Sequence, residues 1–232
     1  MKHFSSSKSS GAILLLISLV TACTSGKSVI SPENSTFSDE RYSGGAQIIP
    51  GKVQLEYYNL GGEGIAYHES DTINSGSGRL NPADGSYLNE FRIKEAVDIS
   101  YTKSRDIDDN KFNLVQPEMD QLYVGWTEPG EWIMYTVDVQ TPGTYQIGIM
   151  YTSNAGGHIS LSVNGDDKTG PMAITTTNDP KDQIAWRQWH HWNYSDSIGT
   201  VKLKKGIQKI TLHTVSVGNM NFDYLNFKLV TK

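Results

Sequence analysis

The chain has 232 residues, 37% hydrophobic and 19% charged, enough for one globular domain with appendages. Its 20 Lys+Arg against 25 Asp+Glu give a net charge of −5 with no basic run or stripe, which excludes a surface built to bind nucleic acid through phosphates. The 22 glycines, and the excess of Tyr (12) over Phe (6), point to a turn-rich β protein that exposes aromatic rings.

In chain order, the first element is a secretory signal over 1–22. Lys2 and Lys8 supply the positive start, and Gly11 to Val20 form an apolar run too short to span a bilayer comfortably. Leu19-Val20-Thr21-Ala22-Cys23 resembles a bacterial lipobox, which implies lipidation of Cys23, the single cysteine, as the mature N-terminus. Thr24 rather than Asp at the next position implies sorting to the outer membrane, with display at the cell surface. Residues 23–50 are rich in Ser, Gly and Thr without apolar periodicity. They read as a flexible tether of root-mean-square span roughly 25–30 Å.

From 51 to the C-terminus the signal is β. Val53 to Tyr57, Tyr145 to Tyr151 and Ile159 to Val163 alternate, and Ile133 to Val139 is an apolar strand. Asn164-Gly165 marks a hairpin, Lys205-Gly206 turns Val201–Leu203 into Ile210–Leu212, and Phe222 to Leu229 forms a last strand. No stretch has convincing helical periodicity. Many short strands with turn signals between them predict an all-β sandwich, or jelly roll, as a single domain. Glu69–Glu95 and Tyr101–Gln121 are long polar interruptions, either functional or poorly ordered.

Tryptophan is concentrated in two places: Trp126 and Trp132 around the Glu128-Pro129-Gly130-Glu131 turn, and Trp186, Trp189 and Trp192. An indole on a turn carries apolar area that needs a partner, and flat aromatics on β loops suit the C–H face of a sugar ring. Trp132 and Trp189 are expected in the core. Glu128 and Glu131 supply two carboxylates, but nothing in a four-residue turn controls the spacing or proton affinity that a glycosidase needs. A solvated turn with one sugar-contacting Glu is the better reading. The six histidines show no metal spacing, and no Gly-x-Ser-x-Gly elbow is present.

Gln54 and Glu56 are two apart on a strand and share one face. A hard cation such as Ca²⁺ would satisfy both, with Asp223 of the last strand, although spacing alone favours a solvent-facing strand edge.

Several motifs, in order, cover most of the chain: Gln54-x-Glu56-x-Tyr58, Gly61 to His68, Phe91-Arg92 with Val97-Asp98-Ile99, Val124 to Trp132, Trp186-x-x-Trp189 and Asn221 to Tyr224. In these the chain resembles the carbohydrate-binding modules of family 6. The resemblance implies a jelly roll with a structural calcium held by Gln54, Glu56 and Asp223, and a glycan cleft among the loops at one end. It implies Trp186 as one aromatic platform, Trp126 or Phe91 as the opposing one, and Asn221 as a hydrogen-bonding partner of the sugar. Arg92 and Glu131 are taken with them as ligand contacts. Arg79 to Tyr87 departs from the pattern as an insertion beside the cleft. The implied function is non-catalytic capture of a neutral β-linked polysaccharide. An agarose-type galactan is favoured by the Ala66-Tyr67-His68 and Val124–Thr127 motifs, with a β-1,3-glucan next. Glycoside hydrolases or a glycan transporter are the expected protein partners. A small glycoside hydrolase or its accessory subunit, and a protein-binding adhesin, are the alternatives.

Overall fold

Alternating apolar and polar side chains bury one face of an extended chain, and that pattern governs the protein. The computed structural model describes Met1 and residues 45–231; the signal, Cys23 and most of the expected tether lie outside the described residues. The strands are β1 (Gln47–Ile49), β2 (Gly51–Gln54), β3 (Tyr67–His68), β4 (Ile99–Tyr101), β5 (Leu122–Val124), β6 (Trp132–Val139) and β7 (Gly143–Ser153). They continue with β8 (Gly157–Val163), β9 (Asp166–Asp167), β10 (Met172–Ile174), β11 (Asn193–Leu203), β12 (Gly206–Ser216) and β13 (Met220–Thr231). One helical turn, α1 (Tyr87–Glu90), and one 3-10 turn, Ala185–Trp189, interrupt them.

Among the described residues the strands form two sheets of a β-sandwich. One runs β1-β6-β12-β8-β10, with β3 also beside β6 and β9 beside β8. The other runs β11-β7-β13-β5-β4, with β2 beside β13. Ile133, Tyr135, Val137 and Val139 of β6 face Tyr145, Ile147, Ile149 and Tyr151 of β7 within one buried cluster.

Four features differ from the sequence reading. The sandwich begins at Gln47, not 51: β1 pairs in parallel with β6, and Ile49 is fully buried. Three residues are too few to show a period, so the strand is invisible in sequence. Second, β11 and β12 lie in opposite sheets, so the turn before Gly206 crosses the sandwich rather than closing a hairpin. Asn164-Gly165 does close one, between β8 and β9, with φ of 53° and 90°.

Third, β13 carries a bulge. Phe222 pairs with Tyr151 and Tyr224 with Met150, leaving Asp223 as the extra residue. Such an insertion re-aims side chains, and the buried apolar set shifts from Met220 and Phe222 to Leu225 and Phe227 across it.

Fourth, the 101–121 segment is ordered, by a buried carboxylate. Asp108 accepts from the Trp192 indole N–H (2.7 Å), from the Lys103 backbone N–H (2.7 Å) and faces His190 Nδ1 (2.8 Å). Trp192, fully buried with Tyr123 and Met150, forms a second small core outside the second sheet. The core tryptophan is therefore Trp192. Trp189 and Trp132, expected in the core, are only half-buried.

Candidate functional site

Asn221 joins three segments that are separated in sequence: its own strand, the end of β5 and the 3-10 turn. The β5 strand ends at Val124, and Trp126 follows at φ 49°, half-buried. Gly125 permits this: a Cβ there would lie 2.8 Å from Asn221 Oδ1 and 3.3 Å from the Tyr123 ring. Asn221 Nδ2 donates to the Trp189 carbonyl (2.8 Å) and to Thr152 Oγ1 (3.2 Å). One buried amide thus touches the strand end carrying Trp126 and the 3-10 turn carrying Trp186. Thr127 locks the neighbouring loop, its Oγ1 donating to the Met220 carbonyl (3.2 Å) and its carbonyl accepting from Asn219 N–H (2.5 Å).

The turn bearing Trp186 is held from beneath. Arg187, 6% exposed, forks onto Asp182 through Nε (2.7 Å) and Nη2 (2.9 Å), and its Nη1 pairs with Asp106. His191 Nε2 meets the same Asp182 carboxylate at 2.8 Å. The Arg187 hydrogen bonds, chiefly, hold the Asp182 carboxyl far below the usual range against the opposing effect of burial. Above this network Trp186 is 53% exposed, edge-on to His190 at 5.7 Å. Among the described residues it is the sole exposed Trp, Tyr or Phe.

Three sequence-predicted contacts are not in the cleft. Phe91 is 2% exposed, packed edge-on against Tyr57 and Tyr87, whereas Trp126, the other candidate for the opposing platform, is half-buried. Arg92 is buried over the Tyr58 ring, 3.3 Å to its centroid, donating to the Asn59 carbonyl (2.8 Å) and pairing with Glu95. Its cation staples the 58–59 segment to the 92–95 segment. Glu131, 6% exposed, accepts from the N–H groups of Ser70 (3.1 Å) and Glu128 (2.6 Å), which organises the turn rather than presenting a carboxylate to solvent. Glu69 is hydrogen-bonded to Glu131, and burial first, then that bond and charge, push its carboxyl up to about 10. Asn221 is 6% exposed, and its amide nitrogen is spent on the scaffold.

Gln54, Glu56 and Asp223 come together, and not on a solvent-facing edge. Tyr224 pairs with Gln54, and the Asp223 carbonyl accepts from Leu55 N–H (3.0 Å). Glu56 is fully buried and accepts from Gln121 Nε2 (2.8 Å). Gln54 Oε1 and Asp223 Oδ1 are buried oxygens without a hydrogen-bond partner. Burial pushes the Asp223 carboxyl up to about 7, with Lys52 opposing and Glu118 adding. Orphaned oxygens of this kind are costly unless a hard cation takes them, so the donor set fits Ca²⁺. Among the described residues no three His, Cys, Asp or Glu side chains form such a group; here an amide replaces the third carboxylate. Gln47, which sequence reasoning placed in the tether, hydrogen-bonds both backbone groups of Gln54 (2.8 and 3.0 Å) and positions it.

The profile for the carbohydrate binding module (family 6) matches residues 97–229, more than half of the chain. The chain belongs to carbohydrate-binding module family 6. Similar solved structures include a β-1,3-glucan binding family 6 module from Bacillus halodurans, at 14% identity and TM-score 0.46, covering 79% of this chain and 99% of that one. A family 6 module from Clostridium stercorarium in complex with cellobiose aligns at 10% identity and TM-score 0.47, over 80% and 98% of the two chains. A Bacillus subtilis arabinoxylan arabinofuranohydrolase of glycoside hydrolase family 43 aligns at 12% and TM-score 0.48; the 84% of this family 6 chain that aligns spans a third (33%) of the enzyme. No curated protein matches the chain.

Proposed function

We propose that this module captures a neutral β-linked polysaccharide by stacking a pyranose face on the indole of Trp186, with Trp126 opposite. One observation carries the reading: an exposed tryptophan stands on a turn that a buried Arg187–Asp182 fork holds rigid. Rigid support lowers the entropy lost on binding, and stacking of this kind contributes roughly 1–3 kcal/mol per ring. The motif resemblance puts an agarose-type galactan first and a β-1,3-glucan second. Two carboxyl groups flanking a scissile bond must stand roughly 5 Å or more apart. Of the pair Glu128 and Glu131, Glu131 is instead buried, with its oxygens accepting from the Ser70 and Glu128 N–H groups, which supports binding over hydrolysis.

Titration of wild type and Trp186→Ala with agaro- and laminari-oligosaccharides tests the assignment, with circular dichroism to verify folding. Loss of one platform should weaken binding roughly 5- to 150-fold. A folded variant that binds as wild type does would move the function to another face.

The same reading includes a structural Ca²⁺ at Gln54, Glu56 and Asp223, supported by the two orphaned oxygens. It also includes a lipid anchor at Cys23 and display on the outer membrane, beside glycoside hydrolases or a glycan transporter of the same system. The support is the apolar run followed at once by Val20-Thr21-Ala22-Cys23. Acyl chains add about 0.8 kcal/mol per buried CH₂, so several anchor firmly. Cell fractionation should find Cys23→Ser in the soluble fraction; retention equal to wild type would mean a different anchor.

A further inference from the structure

The stretches on either side of the segment that departs from the family pattern, residues 72–79 and 93–95, enclose a pocket. Asn74 organises it: its Oδ1 accepts from the N–H groups of Gly76 (3.0 Å), Ser77 (2.9 Å) and Ile99 (3.2 Å). Gly76 sits so close to β4 that a Cβ would fall 1.9 Å from the Ile99 carbonyl oxygen. Gly78, at φ 77°, takes N–H contacts to the Asn81 and Asn89 carbonyls (2.9 Å each), and a Cβ there would strike Ile93. The result is a cavity of about 250 Å³ whose walls include Asn74, Ser77, Arg79, Ile93, Lys94 and Glu95. That is space for roughly eight waters, or for a substituent on a sugar ring.

The wall chemistry is one-sided. Arg79 and Lys94 are exposed, and among the described residues neither side chain enters an ion pair or hydrogen bond with protein. Glu95, the one carboxylate in the wall, is already occupied by Arg92 and by the Tyr58 hydroxyl (2.7 Å). Asn74 is 5% exposed, yet its Nδ2 has no acceptor. Two cations without protein partners, Arg79 and Lys94, line one hollow in a chain of net charge −5, with Asn74 buried in its wall. Donors clustered in this way recognise an oxyanion, through charge-assisted hydrogen bonds that a neutral hydroxyl cannot match. The pocket is also coupled to the cleft. Ser75 N–H is bonded to the Asp98 carboxylate, and the Asp98 carbonyl accepts from Gly125 N–H (2.9 Å), one residue before Trp126.

We infer that the hollow between Arg79 and Lys94 is a second subsite, which takes a sulfate ester or carboxylate carried by the polysaccharide bound at Trp186. The inference keeps the Trp186 cleft of the proposed function but replaces the neutral chain with one that carries anionic substituents, and the two readings are separable by experiment. The full chain is titrated at low and high salt with a sulfated galactan oligosaccharide, its desulfated form, and a uronic-acid-bearing oligosaccharide, alongside Arg79→Ala/Lys94→Ala. Both substitutions are at exposed positions. At low salt, wild type should prefer an anionic form about tenfold, and salt should erode the preference. The double variant should lose that preference and keep its affinity for the desulfated chain. Whichever anionic probe shows the larger preference names the oxyanion. Equal affinity of wild type for charged and neutral forms overturns the subsite and leaves the Trp186 cleft standing. A preference that survives in the double variant overturns its location. Failure to bind any of the three sugars overturns both readings.

Discussion

At the scale of single residues, the informative side chains are those whose environment contradicts their chemistry. Glu69 is one. Its carboxyl is pushed up to about 10, by burial before all else and then by Glu131, Asp98 and Asp71. Asp98 is pushed up to about 6, mainly by burial, with the Ser75 N–H opposing. A carboxyl whose proton is held more tightly in the folded than in the unfolded chain stabilises the fold fully below its unfolded value. That contribution is lost as pH rises through the folded value. Melting temperature should therefore decline from pH 5 to pH 9, and Glu69→Gln should flatten the decline, because an amide keeps one donor at Glu131 without a titrating proton. Parallel slopes for wild type and variant would show that the pair does not couple to folding. Arg92 and Phe91 carry the complementary lesson. Both types are common in sugar sites, and both here are consumed by internal packing.

At the scale of elements, the 3-10 turn Ala185–Trp189 illustrates how an irregular segment acquires rigidity. It lacks a side-chain cap. Its order comes from Arg187, anchored to Asp182 and Asp106, and from Asn221 and Thr152 gripping the Trp189 carbonyl. Removing one partner of a buried pair leaves the other charge uncompensated, at about 3 kcal/mol, the low end for such sites because Asp106 stays with Arg187. Asp182→Asn should thus lower stability in denaturant unfolding and weaken oligosaccharide binding several-fold, although Trp186 itself is untouched. Wild-type stability and affinity in that variant would show that the turn holds its shape without the fork. Little of this was legible beforehand: Trp186-x-x-Trp189 is visible as a motif, whereas the Asp182–Arg187–His191 contacts depend on how the loop folds back.

At the scale of the whole molecule, calcium would join the first strands to the last. Gln54 ends β2, Asp223 occupies the bulge of β13, and Glu56 is tied through Gln121 to the strand that leads to Trp126. A ligand that binds only the folded state raises stability by about 2.7 kcal/mol at a hundredfold excess over Kd. In protein shown to carry metal, chelator should lower the melting temperature, and Asp223→Ala should abolish the response. An unchanged melting curve after verified metal removal would leave the orphaned oxygens of Gln54 and Asp223 without a cation. Because Gln47 and Lys52 flank the same site, metal removal should also loosen the entry of the chain into the sandwich.

Sequence by itself determined the β architecture, because period-two alternation over strands as long as Trp132–Val139 has only one way to bury its apolar face. It also determined the hairpin at Asn164-Gly165, where the backbone conformation is a local property of those two residues, and it nominated Gln54, Glu56 and Asp223 for a metal and Phe91, Arg92, Trp126, Glu131, Trp186 and Asn221 for the ligand, of which Phe91, Arg92 and Glu131 turned out to be internal. Tertiary structure alone decided the rest. Which tryptophan is core turned on Asp108, 84 residues away from Trp192 in the chain. Whether Gln54 and Glu56 face water turned on Gln47 and Gln121, which hydrogen-bond them, and whether Arg92 meets a ligand turned on Tyr58 lying beneath it. Burial and pairing are set by partners distant in sequence, and no local pattern encodes who those partners will be.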